Sequence, residues 1–355
     1  SNFSFLRSAS HPQELVEQAY LLGYSAIAIT DECSFAGIVK AHVRAKELGI
    51  KLIIGSEFYL RDGCHLVAIA PSRLAYQELS GLITLARRRM PKGQYQLELK
   101  DLQFRLKSCL LIWFADVRDE QTNNWADQLG RMFQGRIWMA CNRQLQGGEA
   151  EDIVRLRELA VSYDLPLLAC PQIRMHYRSC KPLLDVLTGI RLKRPIQQLG
   201  SLLSANAECC LKSLRILNKR YAPELLKESM RIADQCNFSL DELKYQYPQE
   251  LVPKGYKPIQ YLRQLTAEGA AVRWPQGIPE KVQATLEHEL QLIEEMRYEY
   301  YFLTVHDLVR FARGRGILCQ GRGSAANSVV CYCLQVTEIS SEVINMLFER
   351  FISKE

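Results

Sequence analysis

Several things are missing from this 355-residue sequence, and each absence narrows what the chain can be. No apolar run approaches the roughly 18 to 20 residues needed to span a bilayer, so no membrane partner is expected. The opening "SNFSFLRSAS" has neither the charged head nor the apolar stretch of a secretory signal. It also lacks an initiating Met, which reads as a trimmed start. The twelve cysteines include no CxxC pair, so no zinc ribbon or finger is indicated. A strong excess of one charge is lacking: the formal net charge of +6 accords with phosphate-binding proteins and with many unrelated enzymes alike. Internal repeats and low-complexity stretches are absent.

What is there is ordinary for a globular protein, with 48% of residues hydrophobic and 24% charged, and a length sufficient for two domains. Several cysteines sit inside apolar runs, Cys109 in "SCLLIWFA", Cys170 in "LLACP", Cys331 and Cys333 in "VVCYCL". Such thiols behave as small hydrophobes, reduced and in keeping with a cytoplasmic location. Lys and Arg cluster in short blocks such as "LARRRMPKG" and "VRFARGRG", which read as solvated faces and loops.

The first half alternates short β-branched or apolar runs with amphipathic stretches. Strands are predicted over residues 25–30, 51–60, 65–70, 109–115, 136–142 and 166–171. Helical patterns such as "HPQELVEQAYLLG", "AGIVKAHVRAKELG" and "AEDIVRLRELAVSYD" separate most of them. This alternation implies an α/β fold on a parallel sheet, open or closed into a barrel. In such folds the active face gathers the C-terminal ends of strands, here Asp31, Glu32, Glu57 and the group from Gln172 to His176. From about residue 178 the pattern turns helical. The Tyr- and Pro-rich "DELKYQYPQELVPKGYKP" reads as a connection, giving domains 1–240 and 241–355. The tail reads as helix ("YFLTVHDLVRFARGRG"), short strand ("ILCQ"), glycine turn ("GRGS"), then helix ("AANSVVCYCLQV").

A turn carrying Gly321, Gly323 and Ser324 that opens a helix is a natural phosphate site. Glycines let backbone amides approach an anion, and a helix N-terminus adds free amides and partial positive charge. Arg322 would add a fixed guanidinium, Ser324 and Ser328 neutral donors. Alone, such a turn is more often simple close packing, since it matches neither the Walker A nor the dinucleotide pattern. Its surroundings carry more. The run "YFLTVHDLVRFARGRGILCQGRGSAANSVVCYCLQVTEIS…LFERF" resembles the palm of bacterial C-family DNA polymerases, the DNA polymerase III alpha subunits, and most of all their error-prone, damage-associated subtype. The resemblance implies a polymerase-beta-like palm in which Gly321, Arg322, Gly323 and Ser324 hold the triphosphate of an incoming nucleotide, with Ser328 and Arg350 as further candidates. It implies magnesium as the cofactor of the full-length enzyme. Primer-template DNA and deoxynucleoside triphosphates would be its substrates, and a sliding clamp and accessory mutagenesis proteins its partners. In that family a Pro-Asp-x-Asp motif bearing the magnesium soon follows "LFERF". The sequence stops at Glu355 before one, so this stretch alone is expected not to polymerise, and no catalytic residue is assigned in it.

The opening "SNFSFLRSASHPQELVEQAYLLGYSAIAITDECSFAGIVKAH" resembles the polymerase-and-histidinol-phosphatase (PHP) domain of the same polymerases, a distorted (β/α)7 barrel. Active members hold three metals on histidines and carboxylates. Here Arg7 stands where an Asp is usual, and Glu32 replaces the His after Asp31. Gln172 and Arg174 replace a late Asp and His, while Asp31, Glu57 and His65 match retained positions. An Arg in such a pocket repels a cation, and Arg174 is expected to pair with Glu57 or Glu32. The PHP domain is thus expected to be metal-free, inactive and retained as scaffold. Competing readings are a scaffold for mutagenic repair partners and a metal-dependent PHP phosphoesterase, the latter disfavoured by the lost ligands.

Overall fold

The computed structural model describes residues 1–243, 247–249 and 251–339. The chain divides into two compact units, Ser1–Leu243 and Lys244–Glu355. In the first unit α1 (Pro12–Leu21), β1 (Ala26–Glu32), α2 (Ile38–Leu48) and β2 (Lys51–Tyr59) lead into β3 (His65–Ile69). Next come α3 (Arg73–Arg88), α4 (Leu99–Arg105), β4 (Leu110–Phe114), α5 (Thr122–Met132), β5 (Ile137–Cys141), α6 (Glu149–Ser162) and β6 (Leu167–Ala169). The helices α7 (Lys181–Leu192), α8 (Leu214–Arg220) and α9 (Pro223–Gln235) complete it.

The six strands pair in chain order, β1 to β6. Burial in β1 alternates, with Ile27, Ile29 and Asp31 inward, which is the period-two pattern of a strand with one buried face. The sheet is mixed rather than parallel throughout: β3 runs against both β2 and β4, while the other neighbours are parallel. The connection from Tyr59 to His65 explains the reversal, because a parallel crossover needs a dozen or more residues. Where the resemblance implied seven strands, six form ladders among the described residues. Beyond β6 the chain is held by single bonds. Arg174 N donates to Cys209 O at 2.8 Å, Ala9 N donates to Arg174 O at 2.8 Å, and an isolated parallel bridge joins Met175 to Cys210. Segments 8–10 and 209–210 therefore flank residues 174–176 where a further ladder would stand.

The core of this unit lies between sheet and helices and includes Phe58, Leu66, Leu79, Leu82, Leu111 and Trp113, each fully buried. A buried aliphatic side chain of this kind contributes about 1.5–3 kcal/mol. All twelve thiols are free, and all but Cys170, Cys180 and Cys319 are buried. Burial pushes those of Cys64 and Cys109 up to about 12, as expected of inert packing groups.

The second unit is helical: α10 (Pro258–Arg273), α11 (Glu280–Glu295), α12 (Glu299–Gly314) and the short α13 (Val329–Cys333). Its core joins Leu262, Leu286, Leu290, Ile293, Leu303 and Val330. Helix α13 crosses α10 at backbone contact. A Cβ placed on Gly269 would lie 1.9 Å from the carbonyl oxygen of Cys333, so glycine is required there. The strand predicted at 317–320 does not form. Ile317 and Leu318 are exposed, Leu318 by 99%, and no partner strand reaches them among the described residues. No helix among the described residues is long and apolar enough to cross a membrane.

Candidate functional site

Two places collect the residues singled out from sequence, one in each unit. In the first, the direction of β3 does the assembly. Strands β1, β2 and β4 end where β3 begins, so Glu32, Glu57, Tyr59, His65 and Phe114 meet at one edge. Glu32 and Glu57 are direct register partners on the parallel pair. Two adjacent carboxylates repel, and each receives its own arginine. Arg7 Nε lies 2.5 Å from Glu32 Oε2, and Tyr95 donates its hydroxyl to Glu32 Oε1 at 3.1 Å.

Glu57 is 4% exposed and takes Arg174 in a two-pronged pair, NH1 to Oε2 at 3.0 Å and NH2 to Oε1 at 2.9 Å. His65 Nε2 lies 2.7 Å from Oε1, Gln172 Nε2 donates to the same oxygen at 3.1 Å, and the Tyr59 hydroxyl donates at 3.2 Å. Burial alone would lift this carboxyl. The His65 bond and the Arg174 charge overrule it and hold Glu57 far below the usual carboxylate range. The His65 ring is stacked between Tyr59 and Phe114 at centroid distances of 4.3 and 4.5 Å, which fixes the imidazole on Glu57. Asp31 is buried apart from this cluster and accepts from the Ser4 amide at 3.1 Å and the Ser4 hydroxyl at 2.9 Å.

Of the seven positions read from sequence, the structure thus joins Glu57, His65, Gln172 and Arg174 in one cluster. Arg7 pairs with Glu32 beside it, and Asp31 turns elsewhere. Sequence reasoning missed Tyr59, Tyr95 and Arg191. Arg191 interacts electrostatically with Arg7, Glu32 and Arg174, and burial and the two like charges depress its guanidinium. Its Nε is buried without a hydrogen-bond partner among the described residues. Three arginines around two glutamates leave this pocket cationic.

In the second unit Gly321 is tied down: its amide donates to Val336 O at 2.6 Å, and Gln320 bonds the Thr337 hydroxyl and the Glu338 amide. Gly323 has φ +64°, a left-handed conformation that favours glycine, and Arg322 and Gly323 are exposed. One 3-10 turn covers Gly323–Asn327, and only then does α13 begin. The helix that the sequence places directly after the turn is therefore broken. Its N-terminal amides are also not open to an anion. Ser328, 1% exposed, accepts from Cys331 N at 3.0 Å and donates to Glu289 Oε2 at 2.8 Å. Glu289 accepts further from Val329 N and Val330 N, each at 3.0 Å. The structure thus gives Ser328 a capping task instead of the open phosphate donor expected of it. Arg350 lies outside the described residues, and His306 bonds the Leu334 carbonyl at 3.2 Å.

Glu289 was legible in principle. It falls on the apolar stripe of α11 with Val282, Leu286, Leu290 and Ile293, and a carboxylate at such a position signals a buried partner.

Residues 260–355 match the family model described as the bacterial DNA polymerase III alpha NTPase domain, and residues 1–144 match the PHP domain. Over all 355 residues the chain is 57% identical to an error-prone DNA polymerase of Saccharophagus degradans and 56% identical to one of Teredinibacter turnerae. The chain is thus similar along its whole length to these error-prone DNA polymerases. It covers 34% of each of these two relatives, so it spans about a third of their length. An amidohydrolase of Chromobacterium violaceum is a distant structural match, 14% identical with a TM-score of 0.38 over 48% of this chain and 84% of that one.

The donor set here does not fit the three-metal site that the PHP resemblance implies. Both Glu57 oxygens are engaged by a guanidinium, and two replaced positions carry Arg7 and Arg174. No group of three or more His, Cys, Asp or Glu among the described residues could hold a metal ion.

Proposed function

We propose that this chain is part of an error-prone DNA-directed DNA polymerase that extends primer-template DNA across damage, with deoxynucleoside triphosphates as substrates. In this reading residues 1–240 are a PHP domain kept as scaffold, and residues 241–355 belong to the palm. The observation that carries it is the loop from Gly321 to Ser324, which holds Arg322 exposed within the stretch shared with the polymerase III alpha family. Gly321, Arg322, Gly323 and Ser324 hold the triphosphate, Arg322 by charge, Gly323 by letting backbone amides come close, and Gly321 by anchoring the turn through its bond to Val336. With α13's amides occupied by Glu289, the anion is held by the loop itself and not by a helix end. Arg350 is a further candidate for the same task. Magnesium, the sliding clamp and accessory mutagenesis proteins belong to the full-length enzyme.

The test is primer extension by the full-length enzyme bearing Arg322→Ala. Its KM for the incoming nucleotide should rise about tenfold or more, the loss of one charge-assisted contact, and an unchanged KM rejects the reading. For the PHP domain, the two ion pairs support a structural role. Purified protein should release no phosphate from phosphomonoesters and carry no stoichiometric zinc, manganese or iron by elemental analysis. Either finding in the positive would restore the hydrolytic reading.

A further inference from the structure

The loop that carries the proposed nucleotide site has two roots. Its first, at Gln320 and Gly321, is bonded to residues 336–338. Its second is Ser328, and that root is held by one side chain from another helix. Glu289 on α11 is 1% exposed and engages the Ser328 hydroxyl and the amides of Val329 and Val330. Besides the apolar packing of Val329, Val330 and Cys331, α13 has backbone and cationic supports further along. Gly269 abuts Cys333, and Arg273 donates to Tyr332 O at 3.1 Å and Thr337 O at 3.2 Å. The Arg273 guanidinium also lies 4.2 Å above the Tyr332 ring. None of these touches the Ser328 root.

We propose that Glu289 is a positioning residue for the nucleotide loop. Its carboxylate fixes the end of the 323–327 turn and fills the α13 N-terminus, so that a phosphate is directed to the loop amides and Arg322. The inference rests on the polymerase reading above. A capping role alone explains Glu289 poorly. Three neutral donors satisfy the carboxylate, yet burial still lifts it above the usual carboxylate range. A neutral cap such as Ser or Asn would satisfy the same amides without that cost. An acidic side chain buried at a cost, one helix behind a ligand loop, is the kind of local inconsistency expected at functional positions. The carboxylate's two oxygens reach three donors at once, which no shorter side chain on α11 would do.

The experiment uses the full-length polymerase in steady-state primer extension with each deoxynucleoside triphosphate varied. Glu289→Leu should raise the nucleotide KM about tenfold with kcat changed less than about twofold, the pattern of lost uniform binding. Glu289→Gln keeps an acceptor for the amides and should raise it by about threefold; it decides the matter should the leucine variant fail to fold. Leu286→Ala, one turn away on the same buried stripe, should lower stability and leave KM in place. Arg322→Ala tests the underlying reading. A rise with Arg322→Ala but none with the Glu289 variants overturns the positioning role, as does an equal rise with Leu286→Ala. No rise with Arg322→Ala overturns the nucleotide reading, and the positioning role falls with it.

Discussion

The two units each bury a glutamate, and the two carboxylates are held in opposite ways. Glu57 is surrounded by Arg174, His65, Gln172 and Tyr59 and is driven far below the usual carboxylate range. Glu289 accepts from neutral donors, two amides and a hydroxyl, with His288 only a lesser charged neighbour, and burial lifts it above that range. Near-equal burial therefore gives opposite electrostatics, decided by whether the partner carries a full charge or a dipole. The first arrangement locks a pocket shut with an ion pair. The second spends a charge to hold a backbone turn in place.

The largest expected effect comes from breaking the first arrangement. Arg174→Ala leaves Glu57 buried without its guanidinium and should cost about 3–5 kcal/mol of stability, read by urea unfolding through the buried Trp113. The double variant Glu57→Leu with Arg174→Leu should recover most of that loss, and a double variant as weak as the single would show that the pair itself stabilises. Next is the α10–α13 crossing. Gly269→Ala sets a methyl 1.9 Å from the Cys333 carbonyl, so α13 must move, at a cost of about 1–3 kcal/mol. The Trp274 ring, 5.4 Å from Tyr332, should report that shift as a changed fluorotryptophan NMR signal. Gly323→Ala acts on the loop alone and should cost about 1 kcal/mol by thermal unfolding, because the φ of +64° disfavours a Cβ.

The finest test of the comparison is a pH slope. Glu57 has a lowered folded value, so its stabilisation is complete above the unfolded carboxylate range near 4.5 and is lost only as pH falls below it. Glu289 has a raised folded value. The second unit therefore binds the extra proton in its folded state, and its stability should decline as pH rises from about 4.5 through that value. Glu289→Gln should flatten the decline, measured by amide exchange at Val330 across the pH series. A slope unaltered by the substitution assigns it to other groups.

Much of the first unit was legible because strands with one buried face advertise themselves. All six were placed within two residues of their observed ends. Direction was harder. Only the five residues between β2 and β3 signal the reversal, and periodicity says nothing about sense. Helix α5, "TNNWADQLGRM", was missed because paired asparagines and a glycine in its last turn are poor helix formers that tertiary packing overrides. The supposed strand at Ile317 and Leu318 failed for the opposite reason, since an apolar run needs a partner before it becomes a ladder. At the sites, replaced metal positions were visible as residue identities. The geometry that makes them consistent, Tyr59 and Phe114 clamping His65 and Arg191 joining from α7, depends on which strand ends meet.

The reversal of β3 also has a bearing on the order in which the first unit comes together. Glu57 and His65 are 8 residues apart on one hairpin, a contact that forms locally at little loop-closure cost. Arg174 stands 117 residues beyond Glu57. A ribosome making this chain therefore releases the glutamate and its histidine long before the arginine exists. Through that interval the pocket is open at one side, and the pairing that seals it is a late event in synthesis.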